Sequence, residues 1–580
     1  MSKVNLTING VSVEVDKGTT IYDAAKSLDI GIPTLCYVDL EEFNVKNKVG
    51  SCRVCVVEVD GRNNLAPSCC TPCEEGMRVV TNSARVLHAR RTVLQLLLSD
   101  HPKECLTCKK SGECELQDLA SEYRISEIRY EGDESNYPID QANKSIYRDP
   151  NKCIMCRRCE TACNDMQQVG VLSGTERGFE AVVDTATHRS LADTHCTFCG
   201  QCVSVCPTGA LTGISYNQEI IEALADESKI VIAQTAPAVR VAIGEEFGEE
   251  PGTVSTGKMV AALKKLNFDY VFDTDFAADL TIMEEAHEML DRIKNGGELP
   301  ILTSCCPAWV KLLEHQFPEM VKIPSSAKSP QQMFGAVAKH YWAKKMGVDP
   351  HNVVVVSIMP CLAKKYECAR EEMKSDDVAD VDFVVSTREL AVLFKESGIN
   401  MSNLKEQEYD NPLGEATGAA VIFGAAGGVL EAALRTAYEW FTDKELESVD
   451  FEAVRGIDGI RSAEIDLDGT TVRVAQASGL GNARELLEKI KKGEEMYHAI
   501  EIMACPGGCI NGGGQPFLHG DTSIIKKRQQ AIYGIDSNET IRKSHENPMI
   551  KKLYKEWLGK PGSHEAHRYL HTEYFERERT

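Results

Sequence analysis

The sequence predicts a multidomain protein of mixed α/β and α+β class, and three observations lead to this prediction. The chain has 580 residues, which is too long for one hydrophobic core and indicates three to five domains. Its N-terminus alternates apolar and polar residues as a strand hairpin does, and a helical stretch follows. From about residue 229, short apolar runs alternate with helical stretches, as they do in α/β domains.

The first predicted domain, residues 1–82, begins with a hairpin. Apolar residues alternate on both sides of Asn9-Gly10, a dipeptide typical of two-residue hairpin turns. Thr19 or Thr20 can cap the helix that follows, through residues 22–25. A hairpin, a helix and then a cysteine-containing loop predict a small β-grasp fold of the ferredoxin kind.

Four further domains are predicted along the rest of the chain. An amphipathic helix at 84–100 opens a short cysteine segment, domain 83–122, and two cysteine-rich segments form domain 140–215 after a polar connector. Domain 216–545 contains apolar runs predicted as strands, at 230–233, 270–273, 353–356, 383–385 and 420–423, and helical stretches such as 259–266 and 429–440. The charged helical tail, 546–580, has no core of its own and is predicted to wrap around the large domain.

Composition excludes several classes of function. The net charge of -23 argues against a nucleic-acid-binding protein, because such proteins need a basic face. No run of eighteen apolar residues and no signal peptide is apparent, so we expect a cytoplasmic protein without a membrane span. The cytosol keeps thiols reduced, so the spacing of the 23 cysteines indicates metal ligation and not disulfides.

The first group of cysteines lies in the N-terminal domain. Its C…C-x-x-C…C pattern resembles the plant-type [2Fe–2S] arrangement, although the first gap is longer than in the plant type. The predicted ligands are Cys36, Cys52, Cys55 and Cys69. Cys70 and Cys73 are alternatives for the fourth position, and a zinc site or a reduced-thiol loop is the alternative interpretation.

The second group combines one histidine with three cysteines: His101, Cys105, Cys108 and Cys114. One imidazole and three thiolates can hold either a zinc ion or a [4Fe–4S] cluster. Because the group lies between two ferredoxin-like segments, the iron–sulfur interpretation is favoured.

The third group is a doubled C-x-x-C-x-x-C-x-x-x-C pattern, typical of two-cluster bacterial ferredoxins. In such proteins the fourth cysteine of each run binds the other cluster. One [4Fe–4S] cluster is therefore assigned to Cys153, Cys156, Cys159 and Cys206, and the other to Cys163, Cys196, Cys199 and Cys202.

Five cysteines of the large domain match neither zinc nor ferredoxin spacing. They lie in three segments, Thr303-Ser304-Cys305-Cys306-Pro307-Ala308-Trp309, Met359-Pro360-Cys361-Leu362-Ala363-Lys364 and Met503-Ala504-Cys505-Pro506-Gly507-Gly508-Cys509. Each segment ends a short apolar run, so the thiols are expected at strand ends that converge on one buried site. Adjacent residues of an extended segment point to opposite sides, so Cys305 and Cys306 are not expected to bind the same metal group.

These three segments resemble the signatures of [FeFe]-hydrogenases, and the resemblance covers nearly all 580 residues. It implies an H-cluster, a [4Fe–4S] cube linked to a two-iron subsite with CO, cyanide and a bridging dithiolate amine. By motif position, Cys306, Cys361, Cys505 and Cys509 would hold the cube, and Cys509 would bridge to the subsite. Cys305 would be the proton donor and acceptor.

The resemblance also implies roles for residues outside the cysteines. Glu285, Ser325, Glu288 and Arg292 match the proton relay of the family, and a spacing of three puts the two glutamates on one helical face. Lys364 would contact a diatomic ligand on iron. Other positions expected to line the cluster are Pro237, Gln331, Met359, Phe423 and Met503.

Three features fall outside this scheme. Pro506 stands where many family members carry a histidine, which predicts altered hydrogen bonding near the cube. Cys70, Cys73 and Cys368 are left without a role. The glycine-rich stretch at 424–428 lacks the Lys-Ser/Thr of a phosphate loop, so it is interpreted as packing around the cluster.

The function expected from the resemblance is reversible conversion of two protons and two electrons into H2. The N-terminal third resembles the cluster-bearing subunit of NAD(P)-linked hydrogenases, which implies an anaerobic, hetero-oligomeric and electron-bifurcating enzyme. Its partners would be flavin- and NAD(P)-binding diaphorase subunits and ferredoxin. The alternatives are a stand-alone ferredoxin-linked hydrogenase, a non-catalytic iron–sulfur assembly relative and a sensory hydrogenase.

Overall fold

The structure is a computed structural model that describes residues 2–457 and 459–578. Residue 1 and residues 579–580, at the ends of the first and last predicted domains, lie outside the described residues. Within the described ranges, no helix has the length and apolar character needed to cross a membrane.

The N-terminal part has the predicted hairpin and helix. Its elements are β1 (Lys3–Ile8), β2 (Val11–Asp16), α1 (Ile21–Lys26), β3 (Val56–Val59), β4 (Ala66–Pro67) and β5 (Arg78–Val80). Asn9 and Gly10 both have positive φ, 50° and 84°, as the two-residue hairpin turn requires. Thr20 caps α1 by accepting from the backbone N–H of Asp23. The strands form one sheet in the order β2-β1-β5-β3-β4, with α1 in its core.

The cysteine-rich middle part contains short elements. They are α2 (Ala84–Asp100), α3 (Glu115–Glu122), β6 (Ile146–Arg148), α4 (Arg158–Glu160), β7 (Ser173–Thr175), β8 (Val182–Asp184), α5 (Gln201–Ser204) and β9 (Leu211–Gly213). The helix predicted at 84–100 is confirmed as α2, and Ser83 caps it. Strands β6 and β9 pair antiparallel, so they hold the ends of the doubled cysteine segment together.

The large C-terminal part alternates strands and helices. Its strands are β10 (Ile230–Thr235), β11 (Tyr270–Asp273), β12 (Ile301–Leu302), β13 (Val353–Met359), β14 (Lys374–Ser375), β15 (Val378–Ala379), β16 (Phe383–Ser386), β17 (Ile460–Leu467), β18 (Thr470–Ser478) and β19 (Ala499–Met503). Its helices are α6 (Asn217–Ala225), α7 (Thr256–Lys265), α8 (Asp275–Asn295), α9 (Pro307–Gln316), α10 (Pro330–Val337), α11 (Ala343–Met346), α12 (Ala363–Cys368), α13 (Thr387–Glu396), α14 (Gly418–Val421), α15 (Gly428–Thr442), α16 (Leu480–Lys491), α17 (Ser523–Asn538), α18 (Pro548–Leu553) and α19 (His564–Leu570).

Two four-stranded sheets organise this part. One is parallel, in the order β11-β10-β13-β16, and the other has the order β12-β19-β18-β17 with only β17 antiparallel. Four of the five predicted apolar runs are confirmed as strands β10, β11, β13 and β16. Their side chains are buried between helices, which is why the runs are continuously apolar and do not alternate.

The apolar run at 420–423 was wrongly predicted as a strand. It forms the end of α14 and a 3₁₀ turn, Ile422–Gly424. Every residue of this run is buried, and a short run that is apolar on all sides fits a buried helix as well as a buried strand. The helix predicted at 429–440 is confirmed as α15.

The C-terminal tail packs on the large domain, as predicted. Its apolar side chains, Ile550, Leu553, Tyr554, Leu558, Ala566 and Leu570, join the core around the parallel sheet. The backbone of the tail also pairs with the segment before α10: Lys328 N donates to Leu570 O at 2.7 Å, and Thr572 N donates to Ser326 O at 2.8 Å. The tail is thereby brought close to α8.

Candidate active site

A buried cavity lies where the carboxyl ends of strands from both sheets meet. Residues that follow β10, β12, β13 and β19 line it, and α8 and α9 begin beside it. In open α/β sheets, the carboxyl ends of the strands are the usual place for a ligand site. The prediction that the three cysteine segments end apolar strands at one common site is confirmed by this arrangement.

Five thiols line this one cavity: Cys305, Cys306, Cys361, Cys505 and Cys509. Glycines let the backbone close around them, since a Cβ on Gly512 would lie 2.2 Å from the carbonyl oxygen of Pro360. Gly508 has a φ of +94°, a conformation that favours glycine. Cysteine sulfurs beside an apolar wall form a soft donor set that fits an iron–sulfur group.

Cys305 and Cys306 have different surroundings although both reach the cavity. Cys305 packs in an apolar cluster with Ala278, Ile282 and Phe423, whereas Cys306 also contacts the cluster around Trp309. The backbone N–H of Ala504 donates to Cys306 Sγ at 3.4 Å. Burial raises the pKa of Cys305 well above its ordinary value, and the nearby Glu285 adds to this effect.

Lys364 reaches the cavity wall with its charge paired. Its Nζ donates to the Cys305 carbonyl oxygen at 3.0 Å and to Glu367 Oε2 at 2.9 Å. Burial would lower the pKa of Lys364, but the charge and hydrogen bond of Glu367, together with smaller contributions from Cys305 and Cys361, outweigh burial and the pKa is raised. Glu367 Oε2 also accepts from Ser329 Oγ at 2.9 Å and Gln331 Nε2 at 3.0 Å. Lys364 is therefore a fixed cation at the edge of the cavity.

All the residues that the sequence placed around the cluster line the cavity: Pro237, Gln331, Met359, Lys364, Phe423 and Met503. Sequence reasoning missed Glu367, although it lies one helical turn after Lys364 on α12. It also missed Thr274 and Ala278, which line the cavity at the beginning of α8. Both residues follow the carboxyl end of strand β11, and this position was the sequence signal that could have identified them.

Glu285 is the acidic side chain nearest to Cys305 in the predicted relay. It lies on α8, is buried, and accepts from the backbone N–H and the hydroxyl of Ser304, both at 3.4 Å. Burial raises the pKa of Glu285 to about 8. Ser304 directly precedes Cys305, and its hydroxyl also donates to Ala327 O at 2.7 Å; sequence reasoning had not assigned it a role.

Glu288 lies one turn further along α8 with the other predicted relay residues around it. Its Oε2 accepts from Ser325 Oγ at 2.8 Å and from Ser326 N at 3.1 Å, and its Oε1 pairs with Arg292 at 2.5 Å. Ser325 is held by its backbone N–H, which donates to Leu302 O at 2.8 Å. The structure thus brings Ser325, Glu288 and Arg292 into contact, with Glu285 on the cavity side of the helix.

The doubled cysteine segment forms two separate cavities. One is lined by Cys153, Cys156, Cys159 and Cys206, and the other by Cys163, Cys196, Cys199 and Cys202. These are the two sets that the ferredoxin pattern predicts, with the last cysteine of each run in the other set. The second set lies next to the cavity of the five thiols: Gly512 lines that cavity, and a Cβ on the following Gly513 would lie 2.6 Å from Cys199 O.

The N-terminal cysteines lie next to the first of these two cavities. Ser51 Oγ donates to Cys156 O at 3.4 Å, next to Cys52. Cys36, Cys52, Cys55 and Cys69 are buried, and the sulfurs of Cys55 and Cys69 are 3.4 Å apart. Cys70 is exposed and Cys73 is buried.

The His101 group also approaches that cavity. Gly209 follows Cys206 by three residues, and a Cβ on Gly209 would lie 2.7 Å from Cys108 Sγ. Burial, helped by the charge of Lys152, lowers the pKa of His101 to about 4, which leaves the neutral imidazole that binds metals. Cys114 is buried and Cys105 is exposed.

Family models match five consecutive parts of the chain. They are a 2Fe-2S iron-sulfur cluster binding domain (residues 1–84), the NADH-ubiquinone oxidoreductase-G iron-sulfur binding region (90–129), a 4Fe-4S dicluster domain (152–210), the C-terminal domain of the iron-only hydrogenase large subunit (229–513) and the iron hydrogenase small subunit (522–577). The elements that bear the cavity described above all fall in the fourth match.

Individual proteins are similar over long stretches. The NADP-reducing hydrogenase subunit HndD of Solidesulfovibrio fructosivorans is 59% identical, with all of both chains covered. Iron hydrogenase 1 of Clostridium pasteurianum is 39% identical over 98% of this chain and 99% of its own length. A solved structure of the [FeFe]-hydrogenase HydA1 from Chlamydomonas reinhardtii has a TM-score of 0.57 and 44% identity, covering 62% of this chain and 99% of that one.

These similarities and the cavity lead to one conclusion. The thiol-lined cavity lies within the part that matches the iron-only hydrogenase large subunit, and iron–sulfur domains precede it along the chain. The protein belongs to the iron-only, or [FeFe], hydrogenase family and is a hydrogenase whose iron–sulfur domains relay electrons for H2 chemistry.

Proposed function

We propose that this chain is the catalytic subunit of a multimeric cytoplasmic hydrogenase that exchanges electrons between H2 and NAD(P). The observation that carries this proposal is the 59% identity, over the whole of both chains, to a protein named as the subunit of an NADP-reducing hydrogenase. The chain has no dinucleotide fingerprint, so flavin and NAD(P) are assigned to diaphorase partner subunits. Ferredoxin would be a further electron carrier, which makes electron bifurcation part of this proposal.

The catalytic cavity is assigned to the H-cluster. Cys306, Cys361, Cys505 and Cys509 would hold the [4Fe–4S] cube, and Cys509 would bridge to a two-iron subsite with CO, cyanide and a dithiolate amine. When bound, this group supplies the site at which two protons and two electrons are interconverted with H2. The support is that all four thiols line one buried cavity.

The remaining residues of the cavity would exclude water and position polar groups. The apolar part of the cavity wall would keep the site dry; it consists of Pro237, Met359, Phe423 and Met503. Gln331 is fixed on both sides, since its Nε2 donates to Glu367 and its Oε1 accepts from Ser357 Oγ at 2.9 Å. Lys364, fixed by Glu367, offers a cation to a diatomic ligand.

The chain's own proton carriers would connect this cavity to the surface. Cys305 keeps its proton at neutral pH, because burial raises its pKa, and it can give the proton up or take one back. Glu285, with a pKa of about 8, would exchange protons with Cys305 alongside Ser304, the residue that contacts Glu285 and precedes Cys305. Ser325 and Glu288 would continue the relay, and Arg292 would hold Glu288 in place.

The proposed cluster inventory is one [2Fe–2S] cluster, three [4Fe–4S] clusters and the H-cluster. The domain limits proposed for them are 1–82, 83–122, 140–215 and 216–545, with a tail at 546–580. The Cys163 set adjoins the catalytic cavity, and both the [2Fe–2S] site and the His101 site adjoin the Cys153 set. These contacts support a continuous series of sites from the surface to the cavity.

The fourth ligand of the [2Fe–2S] cluster can be tested directly. Cys69→Ala is expected to remove the [2Fe–2S] signal in electron paramagnetic resonance, because Cys69 lies against Cys55 among the buried thiols. Cys70→Ala, a matched change at the neighbouring exposed thiol, is expected to keep the signal. Loss of the signal in Cys73→Ala together with its retention in Cys69→Ala would assign the ligand to Cys73 instead.

Partner subunits decide the physiological role. Anaerobic purification of the tagged chain from its native cells is expected to recover flavin-containing subunits, and the complex is expected to reduce NADP with H2. The isolated chain serves as the control. With H2 it should reduce a dye, but it should not reduce NADP. Recovery of the chain alone, active with reduced ferredoxin, would instead support the stand-alone ferredoxin-linked hydrogenase.

A further inference from the structure

The proposed relay ends at a residue that cannot release a proton. Arg292 pairs with Glu288 and donates to the backbone oxygens of Ile323, at 2.6 Å, and Pro324, at 3.1 Å. An arginine guanidinium stays protonated across the physiological pH range, so it can orient Glu288 but not carry its proton. The side chain of Glu288 is only 18% exposed. A group that titrates near neutral pH close to Glu288 would therefore help to carry its proton to solvent.

A second set of hydrogen bonds leads from Glu288 to the C-terminal tail. Ser326 Oγ lies 3.4 Å from Glu288 Oε2 and 2.8 Å from His571 Nδ1. The backbone holds this arrangement, because the segment 326–328 pairs with residues 570–572 of the tail. The tail thus places an imidazole one hydroxyl group away from the relay carboxylate.

Glu284 fixes the tautomer of His571. Its Oε2 lies 3.0 Å from His571 Nε2 and accepts from Gly562 N at 2.8 Å, while Tyr554 OH donates to its Oε1. Since Glu284 acts as an acceptor towards Gly562 and Tyr554, the hydrogen of the imidazole belongs on Nε2. The Nδ1 atom then carries no hydrogen and accepts from the Ser326 hydroxyl at 2.8 Å, which is the state that can take up a proton.

We propose that His571 is the proton outlet of the relay and acts through Ser326. In the H2-oxidising direction, protonated Glu288 donates to Ser326 Oγ while the Ser326 hydroxyl gives its own proton to His571 Nδ1. The O–H bond of Glu288 breaks and an N–H bond forms on the imidazole, so Glu288 becomes a carboxylate and His571 an imidazolium. The imidazolium then gives its Nδ1 proton to water, which restores the Nε2 tautomer held by Glu284, and the Ser326 hydroxyl turns back towards Nδ1. The reverse steps admit protons for H2 evolution, and no electron moves in either direction.

The surroundings of His571 suit a group between buried carboxylates and water. Helix α8 presents Glu284, Glu288 and His287 to this region, and α19 presents His567, whose ring centroid lies 4.1 Å from that of His571. The two carboxylates attract a positive charge on His571, and the two histidines repel it when they are charged. The side chain of His571 is 7% exposed and its neighbour His567 is exposed, so the pair leads outwards to solvent.

This inference rests on the proposed relay, and His571→Gln tests it separately. Glutamine can hydrogen-bond to Ser326 and Glu284 but does not titrate, so a purely structural role would survive the change. In the matured full-length chain, His571→Gln is expected to slow H2 evolution about tenfold. This loss is smaller than the usual effect of removing a proton carrier, because some water reaches Glu288. The same variant is expected to increase the solvent deuterium isotope effect and to change the pH profile. His571→Ala is expected to recover rate when imidazole is added.

Matched controls separate the outcomes. His564→Ala changes an exposed histidine of α19, the helix that ends just before His571, and is expected to leave rate, isotope effect and pH profile as in the wild type. Iron content and melting temperature are measured for every variant, so a folding defect in His571→Ala is recognised and His571→Gln decides. A wild-type rate and isotope effect in His571→Gln would overturn the outlet. If both His571→Gln and Glu288→Gln have the wild-type rate, the proposed relay is wrong. If Glu288→Gln is slow and His571→Gln has the wild-type rate, only the outlet at His571 is wrong.

Discussion

Cys305→Ala is expected to abolish H2 evolution almost completely while the protein keeps its iron. Cys305 is the thiol of the cavity that is not assigned to the cube, and its backbone oxygen is held by Lys364. Burial keeps its proton on the sulfur, so the thiol can act as a donor next to the reacting centre. Alanine keeps the Cβ but lacks the titratable sulfur. The loss should therefore be at least on the order of a hundredfold to ten-thousandfold, as for other essential acid–base groups.

The measurement is H2 evolution from a chemically reduced dye by the anaerobically purified, matured protein. Cys368→Ala is the matched control, because it removes a half-buried thiol at the end of α12 that lies outside the cavity. That control is expected to retain wild-type activity. Full activity in Cys305→Ala with unchanged iron content would contradict the assignment of Cys305 to proton transfer.

Glu285→Gln is expected to lower H2 evolution by roughly a hundredfold or more, since the amide keeps the shape of the side chain but carries no exchangeable acid proton. Glu285 is buried between Ser304 and Glu288, and within the described residues the proposed relay offers no other carboxyl at this point. The Asp291→Asn control changes an exposed acid on the same helix and should be silent. Activity of Glu285→Gln close to that of the wild type would remove Glu285 from the relay.

The same substitution has an independent signature in stability. Folded Glu285 keeps its proton up to a pKa of about 8, whereas in the unfolded chain the same carboxyl loses its proton near its ordinary pKa of 4.5. Between these values the unfolded state binds fewer protons, so this residue makes the wild type lose stability as pH rises. Glu285→Gln lacks this loss. Its melting temperature relative to the wild type should increase from pH 5 towards pH 8, and an unchanged difference would contradict the raised pKa.

Much of the fold was predictable because the sequence carries local signals. The Asn9-Gly10 turn, the helix at 84–100 and the runs that became β10, β11, β13 and β16 all follow hydrophobic periodicity or turn chemistry. The run at 420–423 was not predictable in this way. Its residues are buried on every side, so neither a period of 2 nor a period of 3.6 distinguishes helix from strand there.

In the candidate site too, residues with local sequence signals were predictable and residues brought together only by packing were not. The crossed cysteine sets follow from spacing, because a ferredoxin run determines which thiols can meet. Glu367, Ser304 and Ser326 act through neighbours that are distant in the chain, and only the packing of α8, α12 and the strand ends brings them together. His571 lies 245 residues after Ser326, and no local pattern connects a histidine of the tail with a serine of the relay.

The infrared spectrum of the matured, H2-evolving protein tests the central claim most directly. If the cavity of Cys306, Cys361, Cys505 and Cys509 holds a two-iron subsite, bands from bound CO and cyanide should accompany activity in the wild type. The same bands should persist in the inactive Cys305→Ala variant, since that thiol is not a ligand. Full H2 evolution by protein that shows no such bands would contradict the account.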